Sequence, residues 1–399
     1  MASHRPAVTA TSDSGAVELT RHQHGKSRVR LGRVWRRGGE HAMVEWSIDI
    51  ALASKADASF LGDDCSAVVA TDTMKNTVYV LAKQCASELP PELFAIKLGR
   101  HFVSFYDVVT AASIRIVEQP WQRVHVGGQP HDHGFTLGRE RRVAEVEVDA
   151  AGQHRVKAGV EEYSVLKTTQ SGFEGFVRDQ NTLLPDTRER ILATTVQATW
   201  SYSREPLCVT AAYSAAKAAF TDFHPDLLSP QPTLLVFPQL FPPLQLLVRS
   251  PCFNAAYSAA KAALTDTFFG PPQGGVYSPS VQRTLYLMGE EVLSRVPEAD
   301  SVHLKLPNLH FIPINLPGIG LKHEDAMYSP TSDPPDSIDT CVGPLHTRPP
   351  LASPTPPCTP SPCPLSHQFE DDVYLPTSEP HGSIEACVSR KTAALTARL

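Results

Sequence analysis

Two stretches place a tyrosine four residues ahead of a lysine in an alanine-rich run: Tyr213 and Lys217 in AAYSAAKAAFTDF, then Tyr257 and Lys261 in AAYSAAKAALTDTFF. On a helix this spacing stacks the two side chains one turn apart, the arrangement that moves protons during hydride transfer to a nicotinamide. Such a cofactor needs a glycine-rich turn between strand and helix, where backbone can approach a pyrophosphate. HVGGQP at 125–130 runs on into histidines and LPGIGLK at 316–322 lies far downstream, so neither serves. The serine expected before the tyrosine is also missing, since Trp200 and Leu244 stand there. The pair therefore reads as helix propensity. A second constellation is His125, His131 and His133 in RVHVGGQPHDHGF. H-x-H on a strand puts two imidazoles on one face, and the third histidine would complete a copper or zinc oxygenase site.

The elements that would position such groups follow from periodicity. Period-2 alternation predicts strands at 66–73, 76–83, 112–126 and 141–149, with a helix in PPELFAIKLGRHFVSFYDVV between the second and third. A second set follows, with strands near 161–168, 173–178 and 190–202, a helix over 278–296 and a strand over 301–316. Strands, helices, strands, then the same again argue for two similar α+β halves on antiparallel sheets, divided as 21–155 and 156–399 after a loose tail at 1–20.

The alanine-rich run is one of two internal duplications. Ala211–Asp222 matches Ala255–Asp266 but for Phe220 against Leu264, and HEDAMYSPTSDPPDSIDTCV from His323 aligns with FEDDVYLPTSEPHGSIEACV from Phe369. Pro/Leu/Ser-rich spacers at 224–254 and 343–368 separate the copies; their prolines tolerate neither helix nor sheet, so both read as inserts into a shorter parent. Each duplication offers two candidates for one slot. The simplest expectation is that one copy packs.

Bulk properties set bounds. A formal net charge of −6 calls for neither nucleic acid nor an acidic membrane surface. Eight cysteines without a CxxC pair suggest free thiols. The most apolar stretch, at 233–248, is shorter than the roughly 20 residues of a membrane span and is broken by prolines. Ala397-Arg398-Leu399 has the small-basic-leucine form of a peroxisomal address, to be read by an import receptor.

Six segments in order, HGKSRVRLGRVWR, ATDTMKNTVYVLAKQ, GQPHDHGF, SGFEGFVRDQNTLLPDTRERILAT, SPSVQRTLYLMGEEVLSRV and LPNLHFIPINL, resemble the urate oxidase (uricase) family. The resemblance implies two tandem T-fold halves, each an antiparallel sheet with two helices, in a homotetrameric tunnel with active sites at subunit interfaces. It implies oxidation of urate by dioxygen and water to 5-hydroxyisourate and hydrogen peroxide, with no cofactor and no metal; HDHGF belongs to that cofactor-free pattern. By the same resemblance Lys26, Thr71 and His310 match a proton-relay triad. A threonine hydroxyl is too weak a base alone, so a lysine neutralised by burial would draw the proton through it. Arg190 and Gln282 match the pair that grips the purine, Phe173 the aromatic stacked on its face, and Asn308 the group that holds dioxygen or water above it. Asp72 would support the site through its backbone. With Ser278 or Ser280 as a cap, the N–H groups of Val281 and Gln282 would face an anion. The competing class is an inert isoform of the same fold, its interface spoiled by the duplications.

Overall fold

The computed structural model describes residues 17–85, 88–202, 253–314, 374–378 and 381–391. The tail at 1–16, the copies at 211–223 and 323–342, the bulk of both spacers, LPGIGLK and the terminal triplet lie outside the described residues.

Each half runs strand–strand–helix–helix–strand–strand. The first comprises β1 (His24–Arg37), β2 (Glu40–Ser54), α2 (Thr71–Gln84), α3 (Pro91–Phe105), β3 (Val109–Glu118) and β6 (Arg141–Asp149), with the short α1 (Asp57–Leu61) before α2. A hairpin of β4 (Trp121–Val126) and β5 (Gln129–Leu137) stands out between β3 and β6. The second comprises β7 (His154–Lys167), β8 (Leu192–Tyr202), α4 (Phe253–Phe269), α5 (Val281–Arg295) and β9 (Ala299–Pro313), finished by β10 (Tyr374–Thr377) and β11 (Ser383–Ser389). All strands but the hairpin form one antiparallel sheet in the order β1-β2-β3-β6-β7-β8-β9-β10, and β11 pairs with the other end of β9. This is the tandem α+β architecture expected from the sequence. Helices cover one face of it, and Phe94, Phe102, Trp200, Phe253 and Phe268 are fully buried between the layers.

Several expectations need correction. The strands expected at 66–73 and 76–83 are a turn followed by helix α2. TVYV alternates like a strand, yet Met74, Val78, Leu81 and Ala82 are the buried residues, at helical spacing, while Tyr79 and Val80 face outward. The expected strand at 112–126 is two, parted at Pro120, and 173–178 holds only an isolated bridge from Phe173 to Thr187. Strands β1 and β2 were not singled out by alternation, although β2 alternates buried and exposed residues along its length.

The repeats are resolved by the described copies. Helix α4 is the later copy of the first duplication, and β10 and β11 are the later copy of the second. In α4 the tyrosine and lysine do not work as a pair. Tyr257 faces the Arg142 guanidinium, 4.7 Å from its ring centre, and Lys261 pairs with Glu140 of the first half.

Candidate active site

One group of site residues forms where β1 meets the start of α2. Gly25 lets the strands approach, because a Cβ there would lie 1.9 Å from the Ile50 carbonyl oxygen. Just beyond Lys26 the register slips, Arg28 takes φ 55°, and its N–H donates to Asp49 Oδ1 at 2.6 Å. A bulge of this kind re-aims the side chains beside it. His24 Nε2, 2.9 Å from the Val69 carbonyl oxygen, ties the approach to α2 onto β1. Thr71, the first residue of α2, and Asp72 are thereby held beside Lys26; Thr71 and Lys26 are half-buried. A hydrogen bond from Lys75 (2.6 Å) and its charge hold the Asp72 carboxyl below the usual range, helped by Asn76 (2.8 Å) and by the charge of Lys26. The Asp72 carboxylate is thus taken up by its own helix. Thr71 is a helix N-terminal residue, not the strand residue the alternation implied.

The second group assembles from two loops and β9. Residues 170–173 run beside 276–278: Ser278 N–H donates to the Gln170 carbonyl oxygen and Gly172 N–H to that of Ser278, both at 2.9 Å. Gly172 has no room for a Cβ, which would lie 2.1 Å from the Tyr277 hydroxyl. Phe173 exchanges backbone hydrogen bonds with Thr187 (2.7 and 3.0 Å) and stacks on Phe176 at 4.7 Å. The Arg190 guanidinium lies over the Phe173 ring, 5.4 Å from its centre, and Nε donates to Ser171 Oγ at 3.4 Å. Asp186 pairs with Arg178. Ser280 caps α5 by accepting from Arg283 N–H at 3.1 Å. The N–H groups of Val281 and Gln282 precede the first intrahelical bond, and the Gln282 side chain is exposed.

The antiparallel register sets Ala193 opposite Leu309, so Arg190, just ahead of β8, lies at the same end of the sheet as Asn308 and His310. Asn308 and His310 share a face of β9, with Asn308 Nδ2 3.4 Å from His310 Nδ1, and both are half-buried. Phe173, Arg190, Val281, Gln282, Asn308 and His310 are thus gathered in one half, Lys26, Thr71 and Asp72 in the other. Strand β1 is separated from β9 by six strand spacings, roughly 29 Å along the sheet at about 4.8 Å each.

The histidines do not converge as expected for a metal. His131 and His133 stand 4.6 Å apart edge to face, but their third neighbour is His41 at 5.8 Å from His133. Among the described residues no three His, Cys, Asp or Glu side chains are grouped to hold a metal ion. A residue that the sequence reading missed is Lys167 at the end of β7, bonded to the loop under Gln282. Its partners are mostly backbone oxygens about a hundred residues away, which no local pattern marks.

Fold and site together define a class: a two-half antiparallel α+β protein whose aromatic face, guanidinium and helix N-terminus suit a flat anion. The Uricase family model matches residues 22–147 and 156–338. Uricase-2 isozyme 1 of Glycine max is 48% identical over 330 residues, covering 82% of this chain and 95% of that one. The uricase of Arabidopsis thaliana is 44% identical over 334 residues, covering 82% and 96%. The crystal structure of uricase from Arthrobacter globiformis superposes with a TM-score of 0.65 at 26% identity, covering 94% of this chain and 96% of that one. The chain belongs to the uricase family.

Proposed function

We infer that the chain is a urate oxidase, oxidising urate with dioxygen and water to 5-hydroxyisourate and hydrogen peroxide. The observation that carries this reading is the Arg190 guanidinium over the Phe173 ring, beside a helix N-terminus that presents Gln282. An aromatic face accepts a flat purine by stacking. The guanidinium fork bonds two acceptors in the plane, and the Gln282 amide supplies a donor and an acceptor. The N–H groups of Val281 and Gln282, which lie ahead of the first intrahelical bond, favour the urate anion.

The chemistry needs a proton taken from urate before electrons pass to dioxygen. Thr71 relays it to Lys26, and His310 lines up the relay while Asn308 holds dioxygen or water over the purine face. Hydroxide equivalent adds to C5 of the two-electron-oxidised ring, and dioxygen leaves as peroxide, so atoms and electrons balance without an added metal or organic cofactor. Because Lys26 and Thr71 lie at the β1 end of the sheet and the purine grip lies around β8 and β9 toward the other end, the site is read as completed by two copies meeting edge to edge. Two such pairs stacked make the homotetramer. The Ala397-Arg398-Leu399 ending suits delivery to peroxisomes by an import receptor.

The inert-isoform reading gains nothing from the fold, in which one copy of each repeat completes its slot. Purified chain mixed with urate in air is expected to bleach the urate absorbance and release peroxide in equal amount. An absence of both, with the chain folded, would refute the assignment.

A further inference from the structure

Lys167 takes no part in the relay or the grip described above, yet its ammonium is half-buried beneath them. It donates to three acceptors: the Val276 carbonyl oxygen at 2.7 Å, Ser278 Oγ at 2.8 Å and the Phe268 carbonyl oxygen at 3.3 Å. The same ammonium lies 5.4 Å from the centre of the Phe268 ring. Ser278 is almost fully buried, its hydroxyl also accepts from Thr284 Oγ1 at 2.8 Å, and its backbone forms the bridge to the loop that carries Phe173. Four elements therefore meet at one side chain: the end of β7, the last turn of α4, the loop 276–278 and, through Thr284, the first turn of α5.

A buried cation is costly unless its hydrogen bonds are made. Burial lowers the Lys167 ammonium to about 8, with the Glu189 carboxylate acting in the opposite direction. A neutral aliphatic side chain would avoid that cost, but it could not hold two carbonyls and a hydroxyl in one orientation. We propose that Lys167 is a positioning residue for urate: by tying α4 to the 276–278 loop it fixes Gln282 and the α5 N-terminus in the plane set by Phe173 and Arg190. This role rests on the urate oxidase reading.

The test is Lys167→Met in the full chain. Three quantities are measured: the urate dissociation constant under nitrogen, where no turnover occurs, kcat and KM in air, and the thermal midpoint. A positioning role raises both Kd and KM about ten- to a hundredfold while kcat stays within about threefold. Ser278→Ala, which removes one acceptor and leaves the ammonium, serves if the methionine variant fails to fold, and should raise Kd about three- to tenfold. Unchanged Kd in the folded variant, or a loss of kcat with Kd kept, overturns the proposal. Wild-type chain that binds no urate would instead sink the urate oxidase reading, and this role with it.

Discussion

At the scale of single residues, Thr71 is the point at which chemistry and binding can be separated. It stands at the first position of α2, by the β1 end of the sheet, whereas Phe173 and Arg190 lie on the loop between β7 and β8. Thr71→Val keeps the shape and removes the proton path, so kcat should fall about a hundredfold or more while anaerobic urate binding changes little. Thr71→Ser should keep most of the rate. Steady-state assays of the two variants check this, and equal rates in both would remove Thr71 from the relay. The family was legible in the sequence because its matching residues sit in short segments whose order and identity resemble it. Periodicity alone misplaced Thr71 on a strand. Lys167 was invisible to both kinds of reading, since two of its three acceptors are backbone carbonyls, which carry no residue signature. The reverse holds for Tyr257 and Lys261, whose spacing suggested a reaction. Burial raises the Tyr257 phenol far above its ordinary range, and Glu140 occupies the lysine, so the two hold α4 against the first half.

At the scale of elements, the duplications ask why the later copy of each repeat fills its slot. The alanine-rich core is nearly identical in both, so its ends must discriminate. Helix α4 opens with Phe253, fully buried against Tyr202, and Asn254, whose Oδ1 accepts from Arg142 Nη1 at 2.7 Å. The equivalent residues of the earlier copy are Val209 and Thr210, and His224 stands where the buried Phe268 closes the later one. The same logic holds for β11. Arg390, just after it, donates to the Leu293, Val296 and Ala299 carbonyl oxygens at the end of α5, whereas Pro344 stands at the matching place in the earlier copy. Phe253→Ala should therefore destabilise the chain by about 3 to 5 kcal/mol, read as a lower midpoint in urea, while Val209→Ala should leave the midpoint unchanged. An equal effect of the two substitutions would mean that the slot does not choose between copies by these ends. The prolines between the copies made the inserts visible in the sequence. The choice of copy was not, because it depends on what Arg142 and the core offer from strands distant along the chain.

At the scale of the whole molecule, the sheet both joins the halves and divides the site. A buried ion pair of the first half reaches across to the second: Glu92 of α3 meets Arg142 of β6 at 2.8 Å, and Arg142 in turn holds Asn254 and Tyr257 of the second half. The Lys261–Glu140 pair adds a second tie between first and second half, so the two are held as one body. That body keeps Lys26 and Thr71 at the β1 end of the sheet and Phe173 and Arg190 at the β7–β8 loop toward the other end, and the proposed site joins them across a pair of copies. The separation makes a prediction that no single-chain site allows. A chain carrying Thr71→Val and a chain carrying Arg190→Gln should each be nearly inactive. Co-expressed and co-purified, they can assemble a pair in which one interface has both lesions and the other has none. With a twofold pair and random mixing at equal amounts, half of the pairs are hybrids with one intact site of two, so activity should recover to about a quarter of the wild-type level. The measurement is urate turnover per chain in the mixed sample against each variant alone. No recovery in hybrids isolated by two different affinity tags would show that Thr71 and Arg190 serve the same copy's site, and would overturn the edge-to-edge assembly. Recovery near a quarter would fix Thr71 and Arg190 as contributions from different copies, as the proposed edge-to-edge pair expects.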